Sequence, residues 1–210
     1  MELAEIFYSI QGESSFAGLP CIFIRLSGCN LRCSYCDTKY AYKTNFELTI
    51  DEILNRIKEY APLSLVEVTG GEPLLQNETY LLLNKLLKNK YKVLLETNGS
   101  ILLDKVTKNV IKIVDIKTPG SKMSDKMNWE NIKYLNQKDE VKFVLTDKTD
   151  FDWALEKVLE NNLLKYKVLF SPEISKLNPM VLAEWILKLK LPIRMQLQIH
   201  KIIWGDRRGL

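Results

Sequence analysis

The apolar residues of the chain fall alternately into short continuous runs and longer segments with helical spacing. The short runs are rich in Val, Ile and Leu and are bounded by turn residues, which is typical of buried parallel strands. They predict strands over residues 21–26, 64–69, 92–97, 111–117, 141–146, 166–171 and 193–199. Residues 5–14 add a further strand followed by a glycine turn.

Amphipathic segments between these strands predict helices. Thr49 and Glu52 form a capping box in front of apolar residues that share one helical face. Asn178 is a favourable N-cap, and Pro179 after it is a favourable first helical residue. The later segments expected to be helical span residues 78–89, 128–135, 151–160 and 179–189.

Repeated strand–helix units joined by short loops predict an α/β fold with a parallel sheet, either open or curled into a barrel. A complete eight-unit barrel needs about 250 residues. The 210 residues and fewer helices of this chain favour a single domain, residues 1–210, that forms an incomplete (β/α)6-type barrel. A doubly wound sheet is the alternative, although no glycine-rich dinucleotide loop follows the first strand.

The composition is that of an ordinary globular protein, with 46% hydrophobic and 27% charged residues and a net charge of +4. Lysines are scattered over the predicted helices, which favours solvated helix faces over a nucleic-acid surface. No apolar run approaches the roughly 20 residues that span a bilayer, and residues 1–5 do not resemble a targeting peptide. We therefore expect a cytoplasmic location, where cysteines stay reduced.

Three cysteines lie close together in one predicted loop, as Cys29, Cys33 and Cys36. A structural zinc site is closed by four ligands, and a four-iron cluster normally takes four thiolates. Three thiolates on such a cluster leave one iron without a protein ligand. An open metal position of this kind is where a substrate can bind and react.

Other interpretations of these cysteines are a zinc-site remnant or a chance grouping, with Cys21 as a fourth ligand or a disulfide partner. Cys21 lies in the first predicted barrel strand, where a small buried apolar residue is the simplest explanation. A disulfide framework is not expected in a chain of this length with four unevenly spaced cysteines.

Polar residues stand where the following strands end, and in a parallel barrel these ends form the active site. Residues 70–73 read Gly-Gly-Glu-Pro. The glycines allow close approach of a ligand to the backbone, and Glu72 suits a protonated amine. A tight turn is the alternative. Thr97 and Lys117 close the next two strands, where they either cap a turn or face a cofactor.

Two further sets of polar residues suggest binding. Arg25, near the end of its strand, is costly to bury unless it meets an anion, and its planar fork matches a carboxylate; an internal salt bridge is the alternative. Arg194, Gln196, Gln198 and His200 share one face of the last predicted strand, which indicates either a solvent-facing edge or a substrate pocket. Because His200 is the only histidine, a site made of several histidine ligands is excluded.

The cysteine loop together with residues 70–73 resembles the radical S-adenosylmethionine (SAM) superfamily. Residues 5–14, Gly-Leu-Pro at 18–20, Cys-Asp-Thr at 36–38 and Gln-Ile-His-Lys at 198–201 narrow the resemblance to the family of 7-carboxy-7-deazaguanine synthases. The resemblance covers almost the whole chain and is strongest over residues 5–40 and 66–76. It implies a partial (β/α)6 barrel whose first strand leads into the cluster loop.

The resemblance also implies a reaction in queuosine and 7-deazapurine biosynthesis, from 6-carboxy-5,6,7,8-tetrahydropterin to 7-carboxy-7-deazaguanine and ammonia. A 4Fe-4S cluster would reduce SAM to methionine and a 5′-deoxyadenosyl radical, which takes a hydrogen from C6 of the pterin. The ring would then contract, ammonia would leave, and return of the hydrogen would regenerate SAM.

The site residues that the resemblance implies form three sets. Iron is expected on Cys29, Cys33 and Cys36, and Mg²⁺ on Thr38. The pterin is expected to contact Ile10, Gln11, Gly12, Arg25 and Thr69, together with His200 from the polar face described above. SAM is expected to contact Tyr35, Cys36, Asp37 and Gly71, with Glu72 nearby, and Thr97 and Lys117 are added from the strand ends described above. The family further suggests a homodimer and an electron donor such as flavodoxin.

Two other functions compete with this one. A glycyl-radical-enzyme activase has the same cluster loop and a similar length, but it would act on a protein and should lack residues 10–13 and Arg25. A non-catalytic iron–sulfur or zinc protein, used in electron transfer or as a scaffold, would not bind SAM. That second alternative leaves residues 70–73 without a purpose.

Overall fold

One nine-stranded sheet organises the computed structural model, which describes residues 1–205, 207 and 209. In chain order its strands are β1 (Glu2–Ile10), β2 (Pro20–Leu26), β3 (Phe46–Glu47), β4 (Leu65–Gly70), β5 (Lys92–Thr97), β6 (Ile111–Ile116), β7 (Glu140–Leu145), β8 (Lys167–Pro172) and β9 (Ile193–Met195). Their spatial order is β3-β1-β2-β4-β5-β6-β7-β8-β9.

The sheet is parallel from β2 onward and leaves two free edges. The strands β2, β4, β5, β6, β7, β8 and β9 pair in parallel with their neighbours. β1 pairs antiparallel with β2, and β3 pairs antiparallel with β1. Because β3 and β9 lie at opposite edges and do not pair, the barrel is incomplete, as the strand–helix pattern predicts.

The helices that cover the sheet are α1 (Ile50–Ile57), α2 (Thr79–Lys88), α3 (Lys148–Glu160), α4 (Pro179–Leu189) and α5 (Ile199–Trp204). The capping box of α1 is confirmed in both directions, and Asn178 caps α4 by accepting from Met180 N. The segment predicted over 128–135 forms a 3-10 helix, Trp129–Tyr134, in place of an α-helix. Within the described residues, no helix is long and apolar enough to cross a bilayer.

The prediction of a last strand over residues 193–199 is wrong in its second half. β9 ends at Met195, its last pairing partner being Phe170 of β8. The chain then leaves the sheet, so that Ile199 N donates to Gly12 O and residues 199–204 form α5. Arg194 is exposed whereas Gln196 is buried, so the alternating polar residues do not form one polar face. A period-two pattern does not show where pairing stops.

The two faces of the sheet carry different residues. The outer face packs its aliphatic side chains against the helices in the main core. The inner face is apolar only near the amino ends of the strands, where Phe16 closes a small cluster with Cys21, Phe23, Leu65, Leu94, Ile111 and Ile113. Toward the carboxyl ends the inner face becomes polar and charged, and it is there that the strands surround a cavity.

Candidate active site

A cavity of about 440 Å³ lies at the carboxyl ends of the parallel strands. It is bounded by the end of β1, the cysteine loop that follows β2, the ends of β4 to β7, and α5. This is the position expected for an active site in a parallel barrel. Gly205, Arg207 and Gly209 also line it, so part of the chain after α5 reaches the site.

The cysteine loop begins at Gly28, whose φ of 86° is a left-handed conformation that favours glycine. Arg32 holds the next turn, because its guanidinium donates to Cys29 O and Leu31 O, each at 2.7 Å. The same guanidinium lies 4.3 Å from the centroid of the Tyr42 ring. These contacts stabilise the turn that carries the first of the three thiols.

Cys29, Cys33 and Cys36 are free, half-buried thiols that line the cavity. Burial raises the pKa of the Cys29 and Cys33 thiols, so a positive centre is needed to hold them as thiolates. In the described part of the chain, no three His, Cys, Asp or Glu side chains are arranged to hold a metal ion. Three free thiols from one loop that line the same cavity fit an iron–sulfur cluster, in which each thiolate binds a separate iron atom.

Residues 70–73 pack directly on the cysteine loop. Glu72 N donates to Gly28 O at 2.8 Å, and a Cβ added to Gly71 would overlap the Gly28 carbonyl. Only glycine therefore permits this approach. The second glycine of the motif brings the end of β4 against the thiol-bearing turn, and Gly71 itself lines the cavity.

The side chain of Glu72 is fully buried and, unlike the other predicted site residues, does not line the cavity. Its carboxylate accepts hydrogen bonds from Thr97 Oγ1, Asn98 N and Leu74 N at 2.7–3.0 Å. Burial raises the pKa of this carboxyl to about 7, although the three donors oppose the rise. The Glu72 carboxylate therefore stabilises the end of β5, and its oxygens are not exposed to the cavity.

Arg25 both faces the cavity and forms an internal salt bridge. Its Nε lies 2.7 Å from Glu5 Oε1, which also accepts from Tyr40 Oη at 2.7 Å. Burial raises the pKa of the Tyr40 phenol to about 12, with Arg25 opposing the rise. The bond to Glu5 uses only Nε of the Arg25 guanidinium, which carries further N–H donors on its two terminal nitrogens.

The Cys-Asp-Thr segment joins the cysteine loop to α5. Lys201 Nζ lies 2.7 Å from Asp37 Oδ2, and Thr38 Oγ1 donates to Asp37 Oδ1 at 2.8 Å. Burial would raise the pKa of Asp37, but the Lys201 charge holds it well below its usual range. His200, on α5, packs so closely on Gly12 that a Cβ at residue 12 would overlap the imidazole.

The cavity also carries two buried ionisable side chains that sequence reasoning did not place there, Glu67 and Lys142. Glu67, in the middle of β4, accepts from Gln11 Nε2, and burial raises the pKa of Glu67 well above its ordinary value. Lys142, in the middle of β7, contacts the carboxylates of Glu13, Glu96 and Asp115. A charged residue between two buried apolar neighbours is the sequence signal that could have identified Glu67 and Lys142.

The chain has relatives along its whole length. A profile of the Radical SAM superfamily matches residues 23–119. A protein of Koribacter versatilis described as 7-carboxy-7-deazaguanine synthase is 42% identical over 97% of both chains. One of Chlorobaculum tepidum with the same description is 46% identical over 100% of this chain and 97% of the relative. The chain belongs to the 7-carboxy-7-deazaguanine synthase family.

A solved structure similar to this synthase family member has the same fold. The crystal structure of QueE from Escherichia coli aligns with a TM-score of 0.73, over 94% of this chain and 93% of that chain, at 23% identity. At this identity the likeness concerns the fold alone, and it agrees with the incomplete barrel.

The structure brings the predicted site residues of this synthase family member into one cavity, apart from Glu72. Its walls include the predicted pterin residues Ile10, Gln11, Gly12, Arg25, Thr69 and His200, and the other predicted ligands Cys29, Cys33, Tyr35, Cys36, Asp37, Thr38, Gly71, Thr97 and Lys117. The roles assigned to them remain predictions. The sequence does show which strand ends meet, because parallel strands bring their carboxyl ends to the same edge.

Proposed function

We propose that this protein is a radical SAM lyase that converts 6-carboxy-5,6,7,8-tetrahydropterin into 7-carboxy-7-deazaguanine and ammonia, in queuosine or 7-deazapurine biosynthesis. The observation that carries the proposal is the one cavity that joins three free thiols to a half-buried arginine, Arg25, in a member of this synthase family. The volume of about 440 Å³ lies within the range typical of small-molecule sites.

On the pterin side, Arg25 binds the substrate carboxylate through the donors that its bond to Glu5 leaves over. Glu5 accepts from Arg25 Nε, and Tyr40 Oη donates to the same Glu5 oxygen, which orients the guanidinium before the substrate arrives. Gln11, Gly12, Thr69 and His200 complete the substrate wall. The Gln11 amide is itself oriented by Glu67.

On the SAM side, the cluster is held by Cys29, Cys33 and Cys36. When bound, the cluster and SAM supply the 5′-deoxyadenosyl radical that the reaction requires. Tyr35, Asp37, Gly71, Thr97 and Lys117 surround this part of the cavity. Glu72 acts indirectly here, since it binds Thr97 Oγ1 and Asn98 N and so positions the end of β5.

Mg²⁺ would bind at Thr38 with the substrate carboxylate. Thr38 Oγ1 and Asp37 Oδ1 lie 2.8 Å apart and are hard oxygen donors, which magnesium prefers. Magnesium commonly takes few protein ligands and fills its remaining positions with substrate and water. The ion would orient the pterin and offset negative charge that develops on it.

The wider setting proposed for the enzyme follows its family. It would work as a single domain in a homodimer, take electrons from a donor such as flavodoxin and act in the cytoplasm. The half-buried thiols support a reducing compartment, because they must stay unpaired to bind iron.

The experiment that tests this function is anaerobic turnover. The protein is reconstituted with iron and sulfide, then mixed with SAM, dithionite, Mg²⁺ and the carboxylated pterin, and the products are identified by mass spectrometry. We expect 7-carboxy-7-deazaguanine and ammonia in equal amounts. Because the proposed reaction regenerates SAM, much less SAM should be consumed than product is formed. A protein that carries iron and binds SAM but leaves the pterin unchanged would contradict the proposal.

A further inference from the structure

Lys142 stands at the centre of a buried group of carboxylates in the cavity wall. Its Nζ lies 2.6 Å from Glu13 Oε2, 2.5 Å from Glu96 Oε1 and 3.1 Å from Asp115 Oδ2. The lysine side chain is only 4% exposed. These carboxylates come from the loop after β1, from β5 and from β6, so one ammonium group joins three separate elements.

The sheet register places Lys142 beside these carboxylates. Lys142 of β7 is the direct parallel partner of Asp115 in β6, and its side chain points to the inner face of the barrel. Asp115 Oδ2 also lies 2.9 Å from Lys117 Nζ, so this carboxylate is shared between two cations. Glu13 and Glu96 therefore depend on Lys142 for their closest positive charge.

Burial would raise the pKa of Glu13, since a carboxylate loses solvation in the wall of the barrel. The Lys142 charge and hydrogen bond, together with the His200 charge and the Gln198 hydrogen bond, outweigh burial and hold the pKa of Glu13 at about 2. A buried carboxylate that loses such a partner takes up a proton instead of remaining charged. Lys142 thus sets the charge on this part of the wall.

We propose that Lys142 is a positioning residue that keeps Glu13 ionised and holds it beside Glu96, so that an acidic wall faces the donor groups of the substrate. The proposal rests on the proposed function for the identity of that substrate. A ring bearing N–H and amino groups, such as that of the pterin, presents hydrogen-bond donors that fixed carboxylates accept. Lys142 need not contact the substrate itself, because it acts by keeping these carboxylates ionised and in position.

Other charged groups face the same carboxylates and must be considered in any pH test. The groups packed around Glu13 and Lys142 are Arg25 on β2, Glu67 on β4, Glu96 on β5, Asp115 and Lys117 on β6, Asp37 in the cysteine loop and His200 on α5. Burial lowers the pKa of His200, so it contributes little positive charge at neutral pH. Lys142 is therefore the main cation acting on Glu13.

The first test measures the protonation of Glu13 directly, without the pterin. The protein with oxidised cluster is labelled with ¹³C-glutamate, Glu13→Gln identifies the Glu13 carboxyl signal, and pH is varied from 5 to 9. We expect no titration of Glu13 in the wild type or in Lys142→Arg. We expect a midpoint inside this range in Lys142→Met, or in Lys142→Gln if the methionine variant does not fold. A Glu13 signal that stays flat in the neutral variants would overturn the proposal.

The second test measures pterin binding to the reconstituted protein with SAM and no reductant. If Glu13 titrates near pH 7 in Lys142→Met, about one tenth of it is ionised at pH 6. The increase in Kd of this variant relative to the wild type should then be about tenfold larger at pH 6 than at pH 9. Lys142→Arg should keep the wild-type profile. A uniform loss at every pH would show that Lys142 is only a structural brace and would overturn the proposal.

A matched control separates this role from the loss of stability that removal of any buried lysine would cause. Lys112 is fully buried, forms an ion pair with Asp139 at 2.9 Å and does not line the cavity. Lys112→Met should lower stability while leaving the pH profile of pterin binding unchanged. If the wild type binds no pterin at any pH, the proposed function fails, while the Glu13 titration still decides the role of Lys142.

Discussion

At the scale of single residues, the cavity begins where the inner-face residues of each strand change from apolar to polar. In β6 the inner-face residues run from Ile113 to Asp115 and then to Lys117 just beyond the strand. In β2 they run from Cys21 through Phe23 to Arg25. The apolar members stabilise the barrel, and the last residue in each series is the one that we propose meets a ligand. This division allows mutations of the two kinds to be told apart.

The cysteine loop gives the first test of that division. Cys33→Ala should remove one of three cluster ligands, so iron after anaerobic reconstitution should fall from about four atoms per chain to well below one. Cys21→Ala is the matched control, because Cys21 is a fully buried strand residue of the apolar cluster. It should retain full iron content. Equal iron loss in both variants would contradict the assignment of the ligands.

Arg25 gives the second test. Truncating one partner of a buried, hydrogen-bonded charge pair typically costs about 2–5 kcal/mol. Arg25→Ala should therefore weaken pterin binding by roughly 30-fold to several thousandfold, measured as the Kd with SAM and no reductant. Arg25→Lys should also bind poorly, since an ammonium cannot replace the planar fork. Arg194→Ala, an exposed change in β9, is the control and should leave the Kd unaltered.

Glu72 gives a pH-dependent test of stability. Its pKa in the folded protein, about 7, lies above the ordinary value of 4.5, so the folded state binds more protons between these values. The free energy of unfolding should then fall as pH rises from about 4.5 to 7, by about 3 kcal/mol in total relative to Glu72→Gln. Urea unfolding of both proteins at a series of pH values measures this difference. A difference that stays constant with pH would show that burial does not control this carboxyl.

At the scale of elements, the capping box formed by Thr49 and Glu52 defines where α1 begins. Thr49 Oγ1 accepts from Glu52 N at 3.2 Å, and Glu52 Oε2 accepts from Thr49 N at 2.7 Å. Thr49→Ala should lower the free energy of unfolding by about 1 kcal/mol. Thr149→Ala, at an exposed position in α3, is the control and should change stability by less than about 0.5 kcal/mol. Similar losses in the two variants, compared by urea unfolding, would mean that the capping box adds nothing.

The elements also show how far sequence reasoning reaches. Strands with apolar residues on both faces, such as β5 at Lys92–Thr97, are predictable because their runs end in turn residues. The end of β9 is not predictable in this way, because the alternation of polar and apolar residues continues after strand pairing has stopped, through Gln196, Gln198 and His200. What ends the strand is tertiary: Gln196 Oε1 accepts from Ser14 N, and Ile199 N donates to Gly12 O.

At the scale of the whole molecule, the candidate site is a property of sheet order. Parallel pairing from β2 to β9 brings the thiols, Arg25 and the buried carboxylates to one end of the barrel from distant parts of the chain. Motifs at strand ends were therefore predictable from sequence. Glu67 and Lys142 lie inside strands, where the sequence marks them as charged residues between apolar neighbours, and the register then shows that they face the cavity.

The most direct test of the central claim is electron paramagnetic resonance of the reduced protein, prepared without oxygen, with and without SAM. The account predicts a signal from a cluster of about four iron atoms held by three thiolates, and a clear change in that signal when SAM binds the open iron. A signal that SAM leaves unaltered, or a protein that takes up no iron, would contradict it.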